Sequence, residues 1–189
     1  MTPWWLPPLL LLVLALGEWP TWRSYRARWT PSAQDAGTVR VNSLLGNLAF
    51  VAGLASGAVL RGVPSAAVPA WLAWSGIPVA LAGTALRLWA ILTLGRWFTM
   101  TIQVRPGQPV VERGPYRVLR HPSYAGGDLA FLGIGLSAGN WVSPLLYFVP
   151  WLAAHVHRIG VEERALAATL GEPYRAYQRR TWRLVPFVW

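Results

Sequence analysis

The sequence of 189 residues contains no cysteine, and this absence removes several kinds of site. Disulfides, thiolate nucleophiles and cysteine-based metal sites are excluded, while the redox compartment is left undetermined. Lysine is absent as well, so all 17 basic residues are arginines and the net charge of +10 rests on them. Charge is scarce overall, because 13% of the residues are charged where a soluble domain carries about a quarter. This composition is not that of a soluble domain.

The sequence contains long runs without a charged residue. The sequence is 54% hydrophobic with 13 tryptophans, and residues 41–60 and 62–86 contain no charge. Runs of this length cross a bilayer as helices. We therefore predict an all-α integral membrane protein in one structural domain. The five predicted spans are residues 4–16, 41–60, 66–94, 122–137 and 141–157.

The first apolar run, residues 4–16, is short and contains two prolines. No basic residue precedes it, which favours a membrane helix over a signal peptide. We expect the tryptophans around it to be interfacial anchors. These are Trp4, Trp5, Trp19 and Trp22.

The arginines are unevenly distributed along this topology. The linker 17–40, the polar insert 95–120 and the C-terminal part carry four, five and six of them. Arg61 alone lies on the far side, and Arg87 lies within a span. The positive-inside rule then places the N-terminus outside and the C-terminus in the cytoplasm. This distribution accounts for the many arginines without a nucleic-acid partner. The predicted location is the inner or cytoplasmic membrane.

The most specific stretch is residues 108–127, QPVVERGPYRVLRHPSYAGG, a polar segment between two apolar ones. A plain connecting loop is the alternative interpretation. Pro122 fits the first turn of the fourth span, and only residues 138–140 separate that span from the fifth. We expect the fifth helix to continue past the membrane to Leu170, with Gly171 as the residue that follows its end, and Pro173 to begin a short helix.

A second polar block, residues 162–183, lies on the same side as the insert and can close over it. On a helix His155, Arg158 and Glu162 share one face. Glu162 and Glu163 point about 100° apart, so one can face a ligand while the other pairs with an arginine. A solvated helix face is the alternative for both glutamates.

Two charged residues fall inside predicted spans, where such groups are usually paired or functional. An ion pair between Arg87 and Asp128 and a substrate contact are equally open. His155 and His157 are interpreted as packing or interfacial residues, since no carboxylate cluster accompanies them for a metal.

The combination of GPYRVLRHPSYAG, EERALAATLGEPYRAYQRR and a closing LVPF resembles the isoprenylcysteine carboxyl methyltransferase family. These are membrane enzymes that use S-adenosylmethionine, and the resemblance covers roughly residues 95–187. It makes residues 95–189 the methyltransferase core, after three N-terminal spans in residues 1–94. The resemblance implies cofactor contacts at Gln108, Val110, Val111, Gly114, Tyr116, Arg120, His121, Pro122, Tyr124, Glu162 and Glu163.

The resemblance further implies catalytic roles for Arg120 and Arg180. Gln108 departs from the family, since many members carry histidine there, and glutamine cannot carry charge. The side chains suit the cofactor, because glutamate accepts from a ribose diol or an ammonium and arginine grips a carboxylate. No glycine-rich Rossmann fingerprint occurs, so a soluble methyltransferase fold is not indicated.

The acceptor is expected to enter from the bilayer. On the short C-terminal helix Tyr174, Tyr177 and Arg180 follow at three-residue steps and can line one wall of its site. Arg120 and Arg180 alternatively bind lipid phosphate, and Arg180 alternatively pairs with Glu172. A carboxylate acceptor is already ionised at pH 7 and needs no general base.

The resulting prediction is methyl transfer from S-adenosylmethionine to a lipophilic acceptor, with a prenylcysteine carboxylate as the acceptor that the family implies. N-methylation of an amine-headed lipid is a second enzymatic interpretation. A membrane binding protein that retains the cofactor site without turnover is a third. A relative of nicotinamide-dependent sterol reductases is a fourth.

Overall fold

The computed structural model describes residues 2–3, 5–26, 32–105 and 107–189, and for residues 17–26 it describes the backbone alone. Within these ranges the protein is helical and contains no β-strand. Its helices are α1 (Leu6–Arg26), α2 (Thr38–Val59), α3 (Ala70–Leu94), α4 (Pro122–Ser137), α5 (Val142–Leu170) and α6 (Glu172–Gln178). The predicted helical class is confirmed, with α1 to α5 at the five predicted spans.

Two of these helices are long and apolar enough to cross a bilayer. The helix α2, Thr38–Val59, has 22 residues and a mean hydropathy of 1.3. The stretch Ala70–Trp97, which is α3 with the short 3-10 helix that follows it, has 28 residues and a mean hydropathy of 1.7. The apolar part of α1, Leu6–Leu16, is shorter. That all of α1 to α5 span the membrane stays a prediction.

Proline and glycine set the boundaries around α4, α5 and α6 as predicted. Pro122 occupies the first turn of α4. Gly171 ends α5 with a φ of 65°, a backbone conformation that glycine adopts without steric cost. Pro173 lies in the first turn of α6, where its missing N–H leaves no hydrogen bond unmade.

The predicted linker 17–40 is wrong over its first part, because α1 continues to Arg26. Hydropathy marks where a helix leaves the apolar layer, and the backbone hydrogen bonds can continue beyond that point. Trp4 and residues 27–31, including Arg28, lie outside the described residues. The side chains of Trp19 and Trp22 lie outside them too, so their anchoring role stays a prediction.

Glycine allows α3 and α4 to pack backbone against backbone. A Cβ added to Gly126 would lie 2.6 Å from the nitrogen of Arg87 and 2.6 Å from the oxygen of Gly83. Gly53 on α2 leaves room for a side chain of α5, since a Cβ there would lie 2.3 Å from the ring of Tyr147.

The C-terminal segment lies beside the polar insert and joins the two polar blocks. The nitrogen of Arg120 donates to the oxygen of Trp182 at 2.7 Å, and the nitrogen of His121 donates to the oxygen of Arg183 at 3.1 Å. Trp182 in turn donates to the oxygen of Val118 at 3.0 Å. The second polar block therefore closes over the first, as the sequence suggested.

Candidate functional site

A pocket lies between the insert, α4, α5 and α6, and it is called the polar pocket here because charged and hydroxyl side chains form part of its lining. Most residues that the sequence assigned to a site line this pocket. They are Gln108, Val110, Val111, Tyr116, Arg120, His121, Tyr124, Glu162, Tyr174 and Tyr177.

Glu162 and Tyr124 form the polar wall of this pocket. The Tyr124 hydroxyl donates to Glu162 Oε2 at 2.7 Å and accepts from Arg158 Nε at 2.9 Å. The Glu162 side chain keeps 28% of its surface exposed. The wall therefore offers carboxylate oxygens to a ligand.

Tyr174 adds a second polar group to the pocket. Its hydroxyl is buried and has no hydrogen-bond partner among the described residues. Burial raises the pKa of this phenol, and the charges of Glu163 and Glu162 raise it further. The hydroxyl therefore keeps its proton and is available as a donor.

Glu163 faces away from the pocket and holds the groups that line it. Arg120 Nε lies 2.7 Å and His121 Nε2 3.4 Å from Glu163 Oε1, and Arg183 Nε donates to Oε2 at 3.0 Å. Burial raises the pKa of Glu163, but hydrogen bonds with His121 and Arg183 and the nearby positive charges outweigh it and hold the pKa at about 2. Glu163, which the resemblance placed at the cofactor, does not line the pocket. One glutamate at the pocket and the other paired with arginine is a division that the sequence left open.

Arg120 is committed to partners within the protein. Its Nη1 donates to the oxygen of Gln178 at 2.8 Å and to the oxygen of Thr181. With Nε on Glu163, this guanidinium ties the insert to α5 and to the C-terminal segment. It therefore shapes the pocket wall from a fixed position.

Tyr177 also supports the pocket from behind. Its hydroxyl donates to the oxygen of Tyr116 at 2.8 Å and to the oxygen of Leu119 at 3.2 Å. Burial raises the pKa of Tyr177 and of Tyr116, so both phenols are neutral near pH 7. Neither hydroxyl is placed to act as a base.

Gly114 and Pro122, both expected at the cofactor, shape the backbone and do not line the pocket. Gly114 has a φ of 56°, and a Cβ there would lie 3.0 Å from Thr93 Oγ1. Pro122 is fully buried at the start of α4. Their contribution is to the course of the insert.

Arg180 is separated from the two tyrosines that it was expected to join. It pairs with Glu112 at the surface, with side-chain exposures of 56% and 41%. The expectation of one wall is wrong because α6 ends at Gln178, so the helical spacing does not extend to Arg180. Its predicted alternative partner, Glu172, pairs with Arg179 at 2.6 Å.

A second, larger cavity, called the apolar cavity here, adjoins the polar pocket. Apolar side chains from α1, α2, α4 and α5 dominate its lining, among them Leu11, Leu14, Phe50, Phe131 and Trp151.

The two cavities share a wall. Phe98, Thr99, Tyr124 and Arg158 line both of them. The two cavities therefore adjoin each other at these four residues.

Arg158 is the charged group in the shared wall, and Asp35 holds it. Its Nη1 lies 3.2 Å from Asp35 Oδ1 and donates to Thr38 Oγ1 at 2.8 Å, and its Nη2 donates to the oxygen of Met100 at 2.6 Å. Asp35 also accepts from the nitrogen of Ile102 at 3.0 Å. Burial raises the pKa of Asp35, but these N–H groups and the charge of Arg158 outweigh it and lower the pKa.

The ion pair between Arg158 and Asp35 was not predicted from the sequence, although two features of the sequence indicate it. Arg158 shares a helix face with Glu162. Asp35 is the only acidic residue between Glu18 and Glu112. A buried guanidinium needs a counter-charge, and the N-terminal half of the chain offers few.

Arg87 and Asp128 do not pair with each other. Asp128 Oδ1 lies 2.8 Å from His155 Nδ1, and Arg87 Nη1 donates to the oxygen of Ser123 at 3.1 Å. Arg87 and His155 line the apolar cavity. The described residues contain no group of three or more side chains suited to a metal ion.

Comparison with known proteins finds similarity to one family of methyltransferases. The model of the isoprenylcysteine carboxyl methyltransferase (ICMT) family matches residues 76–168. Protein-S-isoprenylcysteine O-methyltransferase B of Arabidopsis thaliana is 33% identical over 120 residues, which are 62% of this chain and 61% of the relative. The Tribolium castaneum protein-S-isoprenylcysteine O-methyltransferase is 31% identical over 120 residues, 62% of this chain and 43% of the relative. The chain thus spans less than two thirds of either relative.

A solved structure gives the same result for the fold. It is described as the eukaryotic intramembrane Ras methyltransferase ICMT, and it matches with a TM-score of 0.60 at 26% sequence identity. The match covers 77% of this chain and 52% of that chain. The helices described above are therefore arranged as in a membrane protein of this kind. In sequence and in structure the chain is therefore similar to the isoprenylcysteine carboxyl methyltransferase family.

Proposed function

We propose that the protein transfers a methyl group from S-adenosylmethionine to the carboxylate of a lipophilic acceptor that enters from the bilayer. The observation that carries this proposal is the shared wall between a polar pocket and an apolar cavity. A water-soluble methyl donor and a lipid-borne acceptor need two such spaces in contact. The relatives are named for O-methylation of isoprenylcysteine, which supplies the acceptor class.

The residues of the polar pocket fit the methyl donor. Glu162 offers carboxylate oxygens to a ribose diol or an ammonium, and the unpartnered Tyr174 hydroxyl offers a donor to a carboxylate. The insert brings Gln108, Val110 and Val111 to the same pocket. A buried hydroxyl without a partner is costly, and a ligand bound here removes that cost.

When bound, S-adenosylmethionine supplies a methyl group on a sulfonium that is ready to leave. A carboxylate acceptor is already ionised, so the protein has to align it and exclude water. Tyr124, Arg158 and Thr99 lie in the shared wall and are placed for alignment. No residue is required to take a proton.

The apolar cavity fits the acceptor. Leu11, Leu14 and Phe131 surround a lipid tail, and Arg87 places a guanidinium on the same cavity. Guanidinium groups bind carboxylates in a planar, bidentate way. This assignment replaces Arg180, which pairs with Glu112 at the surface.

Purified protein in detergent, methyl-labelled S-adenosylmethionine and an N-acetylated S-prenylcysteine test the proposal. We expect labelled product whose methyl group is released by mild base, as a methyl ester requires. A base-stable labelled product from a parallel incubation with an amine-headed lipid would show N-methylation instead. Cofactor binding with neither product would show a binding protein without turnover, and binding of a nicotinamide cofactor instead would show a reductase relative.

A matched pair of variants ties the activity to the shared wall. Tyr124→Phe removes the hydroxyl that joins Glu162 to Arg158, and we expect kcat/KM to fall at least tenfold, or ~1.4 kcal/mol. Tyr147→Phe is the control, because that hydroxyl is buried without a partner among the described residues and lines neither cavity. Equal loss in both variants would contradict the role of the shared wall.

A further inference from the structure

Two buried polar atoms at the apolar cavity have no hydrogen-bond partner among the described residues. They are Oδ1 of Asn42 on α2 and Nε1 of Trp151 on α5, and both residues line the cavity. A buried polar atom that loses water and gains no partner costs free energy. Such atoms are rare in native proteins, and each one requires an explanation. A ligand that bonds to both atoms supplies one.

The packing of α2 against α5 places these two side chains near the shared wall. Thr38 Oγ1 accepts from Arg158 Nη1 at 2.8 Å, and a Cβ added to Gly46 would lie 3.0 Å from Cη2 of Trp151. Asn42 lies one helical turn from Thr38 and one from Gly46, on the same face of α2. It is therefore located between the level of Arg158 and the level of Trp151.

The indole of Trp151 is held in place by its neighbours. Its ring stacks on His155 with a centroid distance of 5.1 Å and lies tilted against Phe131 at 5.0 Å. Gly46 leaves room for the benzene ring of the indole. An indole carries one N–H, which only donates and has no second tautomer. Trp151 therefore gives the cavity a hydrogen-bond donor in a fixed position.

Asn42 adds a side-chain amide to this donor. Its Oδ1 is an acceptor, so a group that satisfies both atoms accepts from Trp151 and donates to Asn42. A secondary amide has one C=O and one N–H and does both. If the Asn42 amide turned over and presented Nδ2, the carbonyl of a bound amide would accept from both side chains through its two lone pairs. The match to an amide therefore holds for either orientation of Asn42.

The position of Asn42 also suits the amide of an amino acid whose carboxylate lies at the shared wall. Four residues of helix rise by ~6 Å, which separates Asn42 from the level of Thr38 and the Arg158 guanidinium. In an N-acylated amino acid a single carbon atom joins the amide to the carboxylate. With the carboxylate at the shared wall, the amide therefore lies towards Asn42 and Trp151.

We propose that Asn42 and Trp151 bind the amide of the acceptor, so that the cavity selects lipids whose carboxylate belongs to an N-acylated amino acid. This inference rests on the proposed methyl transfer and names two residues that determine its specificity. Both lie outside the sequence motifs that carry the resemblance. They hold the acceptor in place and take no part in making or breaking a bond.

Equilibrium binding in detergent, measured with S-adenosylhomocysteine bound, tests the inference without turnover. The probes are an N-acetylated S-prenylcysteine and the matching S-prenylated mercaptopropionate, which has the same tail, sulfur and carboxylate and lacks the amide. We expect the wild type to bind the amide probe at least tenfold more tightly, or by ~1.4 kcal/mol. Equal affinities of the wild type for the two probes would overturn the inference without any variant.

Two variants assign the preference to the two side chains. Trp151→Phe keeps an aromatic ring beside His155 and loses the N–H, and Asn42→Leu keeps a side chain of similar size and loses the amide. In each variant we expect affinity for the amide probe to fall about fivefold, or ~1 kcal/mol, and affinity for the mercaptopropionate to stay within twofold. Trp141→Phe is the control, because Trp141 is 51% exposed and lines neither cavity. It should leave both affinities unchanged.

The comparison of probes separates recognition of the amide from a merely structural role. An equal loss for both probes in Trp151→Phe and in Asn42→Leu would overturn the inference, because a side chain that only shapes the cavity affects both probes alike. Should a variant fail to fold, the two affinities of the wild type still decide. Methyl transfer to both probes with equal kcat/KM and equal affinity would confirm the proposed function and overturn this inference. Amide-dependent binding without methyl transfer to either probe would contradict the proposed function and leave the inference standing.

Discussion

Glu163 on α5 joins the polar insert to the C-terminal segment. Its two oxygens hold Arg120 and His121 from the insert and Arg183 from the C-terminal segment. It is 5% exposed, so the cost of burying its charge is offset by these partners. The pocket wall depends on this carboxylate although its side chain does not line the pocket.

The pKa of Glu163 makes its contribution depend on pH. The folded-state pKa of about 2 lies below the unfolded value of about 4.5. A depressed pKa stabilises the folded state above the unfolded value, and that stabilisation is lost as the pH falls from about 4.5 towards 2. We expect Glu163→Gln to unfold at a lower temperature than the wild type at pH 7, with a smaller difference at pH 3. Thermal unfolding in detergent at both pH values measures this.

Glu172→Gln is the matched control for that experiment. Glu172 pairs with Arg179 at the surface, where both side chains are 66% exposed. Exposed pairs contribute little to stability, so the unfolding temperature of Glu172→Gln should follow that of the wild type at both pH values. A Glu163 variant whose difference from the wild type does not change with pH would contradict the assigned network.

Individual residues differed in how far the sequence could place them. The directions of Glu162 and Glu163 follow from the helical repeat, so their division of roles was predictable. Arg180 was misplaced because the end of α6 depends on its hydrogen bonds and not on a repeat. The partners of Arg158 come from residues 35, 38 and 100. No local pattern connects positions so distant in the chain.

At the scale of elements, α3 and α4 form the closest-packed pair described here. Gly83 and Gly126 face each other, and a Cβ on either would lie within 2.6 Å of backbone atoms on the other helix. Backbone atoms cannot turn aside as a flexible side chain can. Spacing alone did not reveal this interface, because glycine is common in membrane helices.

We expect Gly126→Ala to destabilise the folded protein by ~1–3 kcal/mol, the cost of forcing extra atoms into a packed core. Gly160→Ala on α5 is the control, since its Cβ would meet only Arg164 Nη1 at 3.6 Å. Alanine favours helices over glycine, so the control should be neutral or stabilising. Thermal unfolding of both variants in detergent measures the difference, and equal midpoints would contradict the packing.

At the scale of the whole molecule, the arginine distribution predicts which side each end occupies. The chain has no cysteine, so single introduced cysteines report position without background. Ser65 and Val188 are both exposed and suit labelling. We expect Ser65→Cys and Val188→Cys to react with a membrane-impermeant thiol reagent from opposite sides of sealed vesicles. Reaction of both from one side would contradict the predicted topology.

The helical fold class and the two polar blocks could be predicted from composition and from turn-forming residues, which act over short distances along the chain. The two cavities could not be predicted, because side chains from several helices bound each cavity. The shared wall combines residues of the insert, α4 and α5. Its existence depends on tertiary packing, which hydropathy does not encode.

The ion pair between Asp35 and Arg158 determines whether the chain can be divided into parts that fold independently. The family model matches residues 76–168, yet Arg158 inside that stretch has its counter-ion far outside it. The same carboxylate accepts an N–H from Ile102 in the insert. The matched stretch is therefore not a self-sufficient module. A chain cut before α3 would retain that stretch and leave a buried guanidinium without its counter-charge between the two cavities.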